Sequence, residues 1–254
     1  MDYFVHPQSV VRKIWGKSDT ILFIFAGSAA EFALNKAVDW LYFTGRLPAD
    51  PIGRLFSTVQ YARDIVFAAE DDALKTIDRI SSIHGAVEKE RAAKIPDWAY
   101  RDVLYMLIHY SIAAFELLER KLSAAEKQEV YDVFYRMGTR MKIPQLPPTY
   151  NSWLPERERH LQQDLALSRH SLDLYKQYKK HLGAVRFAIL KQSQLLVVPP
   201  LVSNLLQLGK RSVLAPAVPL YKFSRRLKLD FIVKEVLLPA KYKKQIKKLD
   251  VVPG

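Results

Sequence analysis

Apolar residues recur along most of the chain at spacings of three and four, and alternating runs bounded by Asn-Gly or Asp-Gly turns are missing. This pattern predicts helices over residues 18–44, 51–69, 72–93, 97–122, 124–142 and 155–182, with further helices inside 184–227 and over 230–249. An all-α architecture follows, because nothing in the pattern supplies a sheet for these helices to cover. Several ends have a physical cause. Ser123 followed by Glu126 is a capping box, each side chain satisfying an orphan amide. Pro51, Pro96 and Pro155 stand where a helix can begin, and the proline-rich stretch from Ile143 to Pro148 predicts an extended connection. Thr20 to Val38 starts as apolar as a membrane span. Glu31, Asn35 and Lys36 fall inside it, however, so a buried helix is expected.

Composition narrows the function. With 254 residues the chain suits one large domain, or one domain with an appendage. The absence of cysteine excludes disulfides, thiolate-ligated haem, iron–sulfur clusters and cysteine zinc sites, so any metal must use other donors. No secretory signal opens the chain, since Asp2, His6, Arg12 and Lys13 interrupt its short apolar runs; a cytoplasmic protein is expected. Charge is uneven. From Lys176 to Gly254 there are 17 Lys and Arg against 3 Asp and Glu, whereas the remainder carries 22 against 23. The whole basic excess is therefore C-terminal and predicts an acidic partner surface.

Candidate chemistry lies where polar groups share apolar faces. Ile77, Ile80, His84 and Val87 form one helical stripe, which predicts a buried imidazole, and Gly85 beside it removes a side chain where a flat ligand or a backbone must come close. The spacing alone leaves open a metal ligand or a hydrogen-bonded core histidine. Arg54 and Thr58 stand four apart on the preceding helix. They suit an anionic group, or else an ion pair of Arg54 with Glu70 or Asp78 and a local hydroxyl bond. Glu31, on the first long apolar helix, is the candidate catalytic carboxylate, with an exposed helix-edge charge as its alternative.

The runs Arg54-Leu-Phe-Ser-Thr58, Arg79-Ile-Ser-Ser-Ile-His84-Gly-Ala-Val87 and Leu104-Tyr-Met-Leu-Ile-His109-Tyr resemble the rubber-oxygenase catalytic domain family, which includes latex-clearing proteins and MpaB-type oxygenases. Phe115 to Arg120, Leu122 to Glu126 and Gly138 to Pro148 extend the likeness. The likeness covers about Ile14 to Leu165 and implies a single helical domain around haem b, taken over 14–182; the charge and apolar content of 183–254 predict a basic, apolar helical extension after it. The resemblance further implies that His84 is the proximal iron ligand, that Arg54 and Thr58 help hold the cofactor, and that His109 supports the pocket. Two departures matter. Ser57 occupies the place of the lysine that caps the iron in latex-clearing proteins, and Lys36-Ala-Val-Asp39 stands where members often show a histidine-proline element.

Beyond the resembling region, Leu195 to Pro200, Leu201, Leu205, Leu206 and Leu208 alternate with Lys210, Arg211, Arg225, Arg226 and Lys228, and a basic run follows from Lys241 to Lys248. An anionic membrane surface fits this mixture better than nucleic acid, because no nucleic-acid-binding signature accompanies it. Phosphate loops, serine elbows and His-Glu-x-x-His helices are also missing. A non-haem metal shared by His84, Glu88 and His109 is the chemical alternative. The expectation is a haem b-dependent oxygenase that uses oxygen or a peroxide on an apolar, isoprenoid-like substrate near the inner face of a membrane. A non-catalytic haem- or lipid-binding protein on the same scaffold is its counterpart.

Overall fold

The computed structural model describes residues 2–43, 45 and 49–226. Among the described residues the regular structure is entirely helical, as the pattern predicts. The helices are α1 (Val10–Trp15), α2 (Ser18–Leu34), α3 (Val38–Phe43), α4 (Pro51–Val66), α5 (Glu70–Arg91), α6 (Asp97–Leu118), α7 (Ala124–Arg140), α8 (Tyr150–Asp164), α9 (Arg169–Gln194), α10 (Pro200–Leu205) and α11 (Ala217–Arg226).

Helix α2 lies at the centre because it is apolar nearly all round. Ile21, Ile24 and Phe25 join the main core with Trp15, Tyr105, Ile108 and Phe134. Ala29 and Ala33 receive Leu174 and Tyr178 of α9, while Ala30 and Leu34 meet Leu161, Leu165 and Val202. Small residues on α2 let its neighbours approach closely. At Gly27 an added Cβ would lie 2.2 Å from the Tyr110 ring on α6. Full burial of each large aliphatic or aromatic side chain in such a core contributes about 1.5–3 kcal/mol.

Most predicted edges hold, and three differ for identifiable reasons. The helix expected to run from residue 18 to 44 stops at Leu34, where Asn35 turns extended and its side chain accepts from the Ala37 amide at 2.9 Å. The chain there pairs briefly with the end of α8, through Lys36 N to Asp164 O at 2.9 Å and Ala166 N to Leu34 O at 2.8 Å. Pro155 lies inside α8 rather than at its start, since Thr149 and Ser152 already cap the helix five residues earlier. The expected helix over 155–182 is consequently two: α8 ends at Asp164, and a second Ser-Ser cap opens α9. Helix α9 runs on past residue 182 through a kink at Gly183, whose φ of 76° suits glycine. The Ser123–Glu126 capping box forms as predicted, and Pro51 opens α4 behind the Asp50 cap. The helix expected over 230–249 and the basic run from Lys241 to Lys248 lie outside the described residues.

Candidate functional site

The expected site residues fall into two groups. The first lies on α4 and α5. Helix α5 opens with Glu70, Asp71 and Asp72 and closes with Lys89 and Arg91, a charge order that complements the helix dipole. Of its 22 residues only Ala73 and Ile77 are buried, both near the N-terminal end. Its C-terminal half, which carries His84, is sparsely covered. His84 is half-buried rather than buried as expected, and its ring stands edge-on to Tyr100 at 5.3 Å between centroids. Its Nδ1 is buried without a hydrogen-bond partner among the described residues. Burial pushes the imidazole below its usual pKa range, opposed by the Glu88 charge and reinforced by that of Arg54. His84 is therefore held neutral, with Arg54 close enough to be felt. A Cβ added at Gly85 would meet nothing within 4 Å.

Arg54 is half-buried, and the carboxylates considered as its partners are engaged elsewhere: Glu70 by Arg136 at 2.9 Å and Asp78 by Arg140 at 2.6 Å. Thr58 is exposed and its hydroxyl donates to the Arg54 carbonyl at 3.1 Å, the local bond weighed above. Glu88 accepts from the Ile95 amide at 2.9 Å and from the Tyr100 hydroxyl at 3.2 Å, so it staples the turn between α5 and α6. The set His84, Glu88 and His109 does not converge as metal ligands among the described residues, where the sole such group is Asp102, His160 and Asp164.

The second group lies where α2, α6 and α8 meet. Glu31 is 1% exposed, not at a helix edge. Arg157 grips it with two bonds, Nη1 to Oε1 at 2.5 Å and Nη2 to Oε2, and the Tyr110 hydroxyl donates to Oε2 at 2.8 Å. This bidentate geometry compensates the loss of hydration that both charges suffer. Glu31 accordingly faces the interior, as a carboxylate already committed. His109 adjoins the pair. Burial drives its pKa down to about 4, with Arg157 adding to the effect and Glu31 and a bond to the Val197 backbone opposing it. Its ring stands edge-on to that of Tyr110 at 4.9 Å between centroids.

Residues 15–232 match the family described as ER-bound oxygenase mpaB/B'/rubber oxygenase, catalytic domain. The chain belongs to this family. The match extends well past the likeness visible in short motifs and takes in α9, α10 and α11. No curated protein matches the chain. Membership in the oxygenase family agrees with the all-helical architecture, and no helix among the described residues is long and apolar enough to cross a membrane.

Sequence reasoning missed the partners that complete the second group. Arg157 and His160 sit three apart on α8, a buried face that a helix starting at Pro155 would have placed in its frayed first turns. The Thr149-x-x-Ser152 cap was the available signal. His160 Nδ1 lies 2.5 Å from Asp102 Oδ1 and 3.0 Å from Asp164 Oδ2, and Asn35 Nδ2 donates to the other Asp102 oxygen at 2.7 Å.

Proposed function

We propose that the chain is a haem b-dependent oxygenase that acts on an apolar, isoprenoid-like substrate, with His84 as the proximal iron ligand. The observation that carries the reading is His84 itself: a neutral imidazole at the position that resembles the family's ligand, with a buried nitrogen that nothing among the described residues satisfies. Buried polar groups are nearly always paired, so an orphaned one calls for a ligand or a function. Gly85 is exposed beside His84 and a Cβ there would meet nothing within 4 Å, so α5 leaves a flat group free to approach on that side, and Arg54 supplies positive charge for a propionate. When bound, haem supplies an iron centre whose second face is free to activate oxygen.

The protein's own residues have separable parts in this reading. His84 holds the cofactor, and Thr58 shapes α4 through its bond to the Arg54 carbonyl rather than donating outward. Neutral His109 and the Glu31–Arg157 pair, whose charges cancel, leave no net charge where α2, α6 and α8 meet, which suits an apolar substrate. Substrate arrives from an anionic membrane surface on the cytoplasmic side. Leu220 and Phe223, 70% and 56% exposed, stand on the helix of Lys222, and Phe223 and Lys222 line a groove of about 440 Å³ with Leu117, Val218 and Pro219. Exposed apolar side chains beside cations suit a lipid interface.

The test is spectroscopic. Wild-type protein reconstituted with haem should show a Soret band that His84→Ala abolishes; full haem occupancy in the variant would refute the ligand assignment. Flotation with phosphatidylserine vesicles tests the membrane contact, which absent binding by the full chain would remove. A second reading, haem binding without turnover, draws on the engagement of Glu31 by Arg157 and Tyr110. Oxygen uptake with a polyisoprenoid substrate by the haem-loaded protein separates the two.

A further inference from the structure

The cluster at the end of α8 has no part in the reading above, yet it is built like a ligand set. Asp102 and His160 are buried and Asp164 half-buried, and one oxygen or nitrogen from each lies within 4.8 Å of the others. His160 and Asp164 stand four apart on α8 and so share a face. Both carboxylates address the same ring nitrogen, which can carry a single proton. Within the cluster itself two carboxylates outweigh even a protonated imidazole. Lys36 and Arg159, which also bind the Gln163 carbonyl and Glu156, act on Asp164 from outside it, and Arg159 Nη2 stands 3.5 Å from His160 Nε2. Asn35 fixes Asp102 by one oxygen and leaves the other aimed at His160, the outer-shell support that ligating carboxylates commonly have. A further observation points the same way. Tyr105, fully buried, packs edge-on against His160 at 5.2 Å, near enough to Asp102 to be influenced by its charge, and its hydroxyl has no partner among the described residues.

We propose that Asp102 Oδ1, His160 Nδ1 and Asp164 Oδ2 form a divalent-cation site that staples α6 to α8. The ion takes the place of the proton on Nδ1, which moves to Nε2 of a neutral ring or leaves to solvent from an imidazolium, so that a neutral imidazole, two carboxylates and a 2+ charge stand in balance. One nitrogen and two oxygens suit Zn²⁺ or Mn²⁺. Ligand atoms around tetrahedral Zn²⁺ stand about 3.4 Å apart at bond lengths near 2.1 Å. The observed 2.5 and 3.0 Å separations therefore widen by less than an ångström when the proton leaves. Tyr105 offers its hydroxyl to a water in the remaining position.

Tag-free full-length protein, stripped with EDTA and dialysed against Zn²⁺ and separately against Mn²⁺, is analysed by elemental mass spectrometry and thermal melting. The expected result is about one equivalent of non-haem metal per chain and a higher melting temperature with metal than with EDTA. Asp164→Asn keeps the His160–Asp102 contact and so should fold, but with metal uptake reduced at least tenfold. His160→Gln should behave likewise. No uptake by wild type, or equal uptake by both variants, overturns the proposal, and so does a melting temperature that follows pH alone and ignores metal. His84→Ala should keep this metal while losing the Soret band, so failure of the haem reading and failure of this site are read separately.

Discussion

Two polar regions of this protein answer burial in opposite ways. At the meeting of α2, α6 and α8, both oxygens of Glu31 are taken by Arg157 and one also by Tyr110. On α5, by contrast, His84 presents a buried nitrogen without a partner among the described residues, in a half-helix that the core barely covers. Burial without pairing is costly, whereas a matched pair of buried charges offsets its own desolvation. The first region is thus sensitive to the loss of either partner, and the second is where the proposed cofactor would satisfy an open group.

Breaking the paired region should have the largest effect. Arg157→Leu leaves Glu31 buried and alone, and should destabilise by about 3–5 kcal/mol in chemical denaturation. The double variant Glu31→Leu/Arg157→Leu should recover most of that loss, because no uncompensated charge remains. Next is Gly27→Ala, whose Cβ would collide with the Tyr110 ring that Glu31 holds in place. A loss of about 1–3 kcal/mol is expected, the usual range for overpacking.

His109 sharpens the comparison through pH. Its folded pKa of about 4 lies below the ordinary 6.5, so the unfolded chain binds the extra proton between those values. Stability should fall as pH drops from 6.5 toward 4, and His109→Gln should flatten that slope in denaturation midpoints measured across the range. The smallest effect belongs to the open region. Gly85→Ala removes a helix-weakening glycine where a methyl group meets nothing, and should stabilise the haem-free protein by about 0.5–1 kcal/mol. The same change should weaken haem uptake if the porphyrin lies against α5. A Soret titration unchanged by Gly85→Ala would place the cofactor elsewhere.

Much of this organisation was legible in the sequence because it is local. Periodicity gives most of the helices, and the Ser123–Glu126 cap forms as read. The stripe bearing His84 was equally local, although Ile80, His84 and Val87 are less covered than Ile77. The long-range pairs were not legible. Glu31 and Arg157 are separated by 126 positions, and nothing in either segment names the other. The break at Asn35 depends on a partner just as distant, since Lys36 reaches the Asp164 carbonyl. Pro155 misled because it stands at the sixth position of α8, where its missing amide removes one intrahelical bond instead of marking a start, and Thr149 sets the true beginning.

The bend at Asn35 also joins parts of the protein that share no direct bond. Its side chain grips Asp102, while four positions later Asp39 on α3 meets Arg91 at 2.6 Å, and Arg91 lies over the Trp40 ring at 4.0 Å. Arg91 ends the helix that carries His84. The short segment after α2 is thereby clamped at one end to the deep acidic cluster and at the other to the tip of α5. Tightening either clamp restricts the travel of the other, and amide exchange along residues 35–43 is where that mechanical link would register.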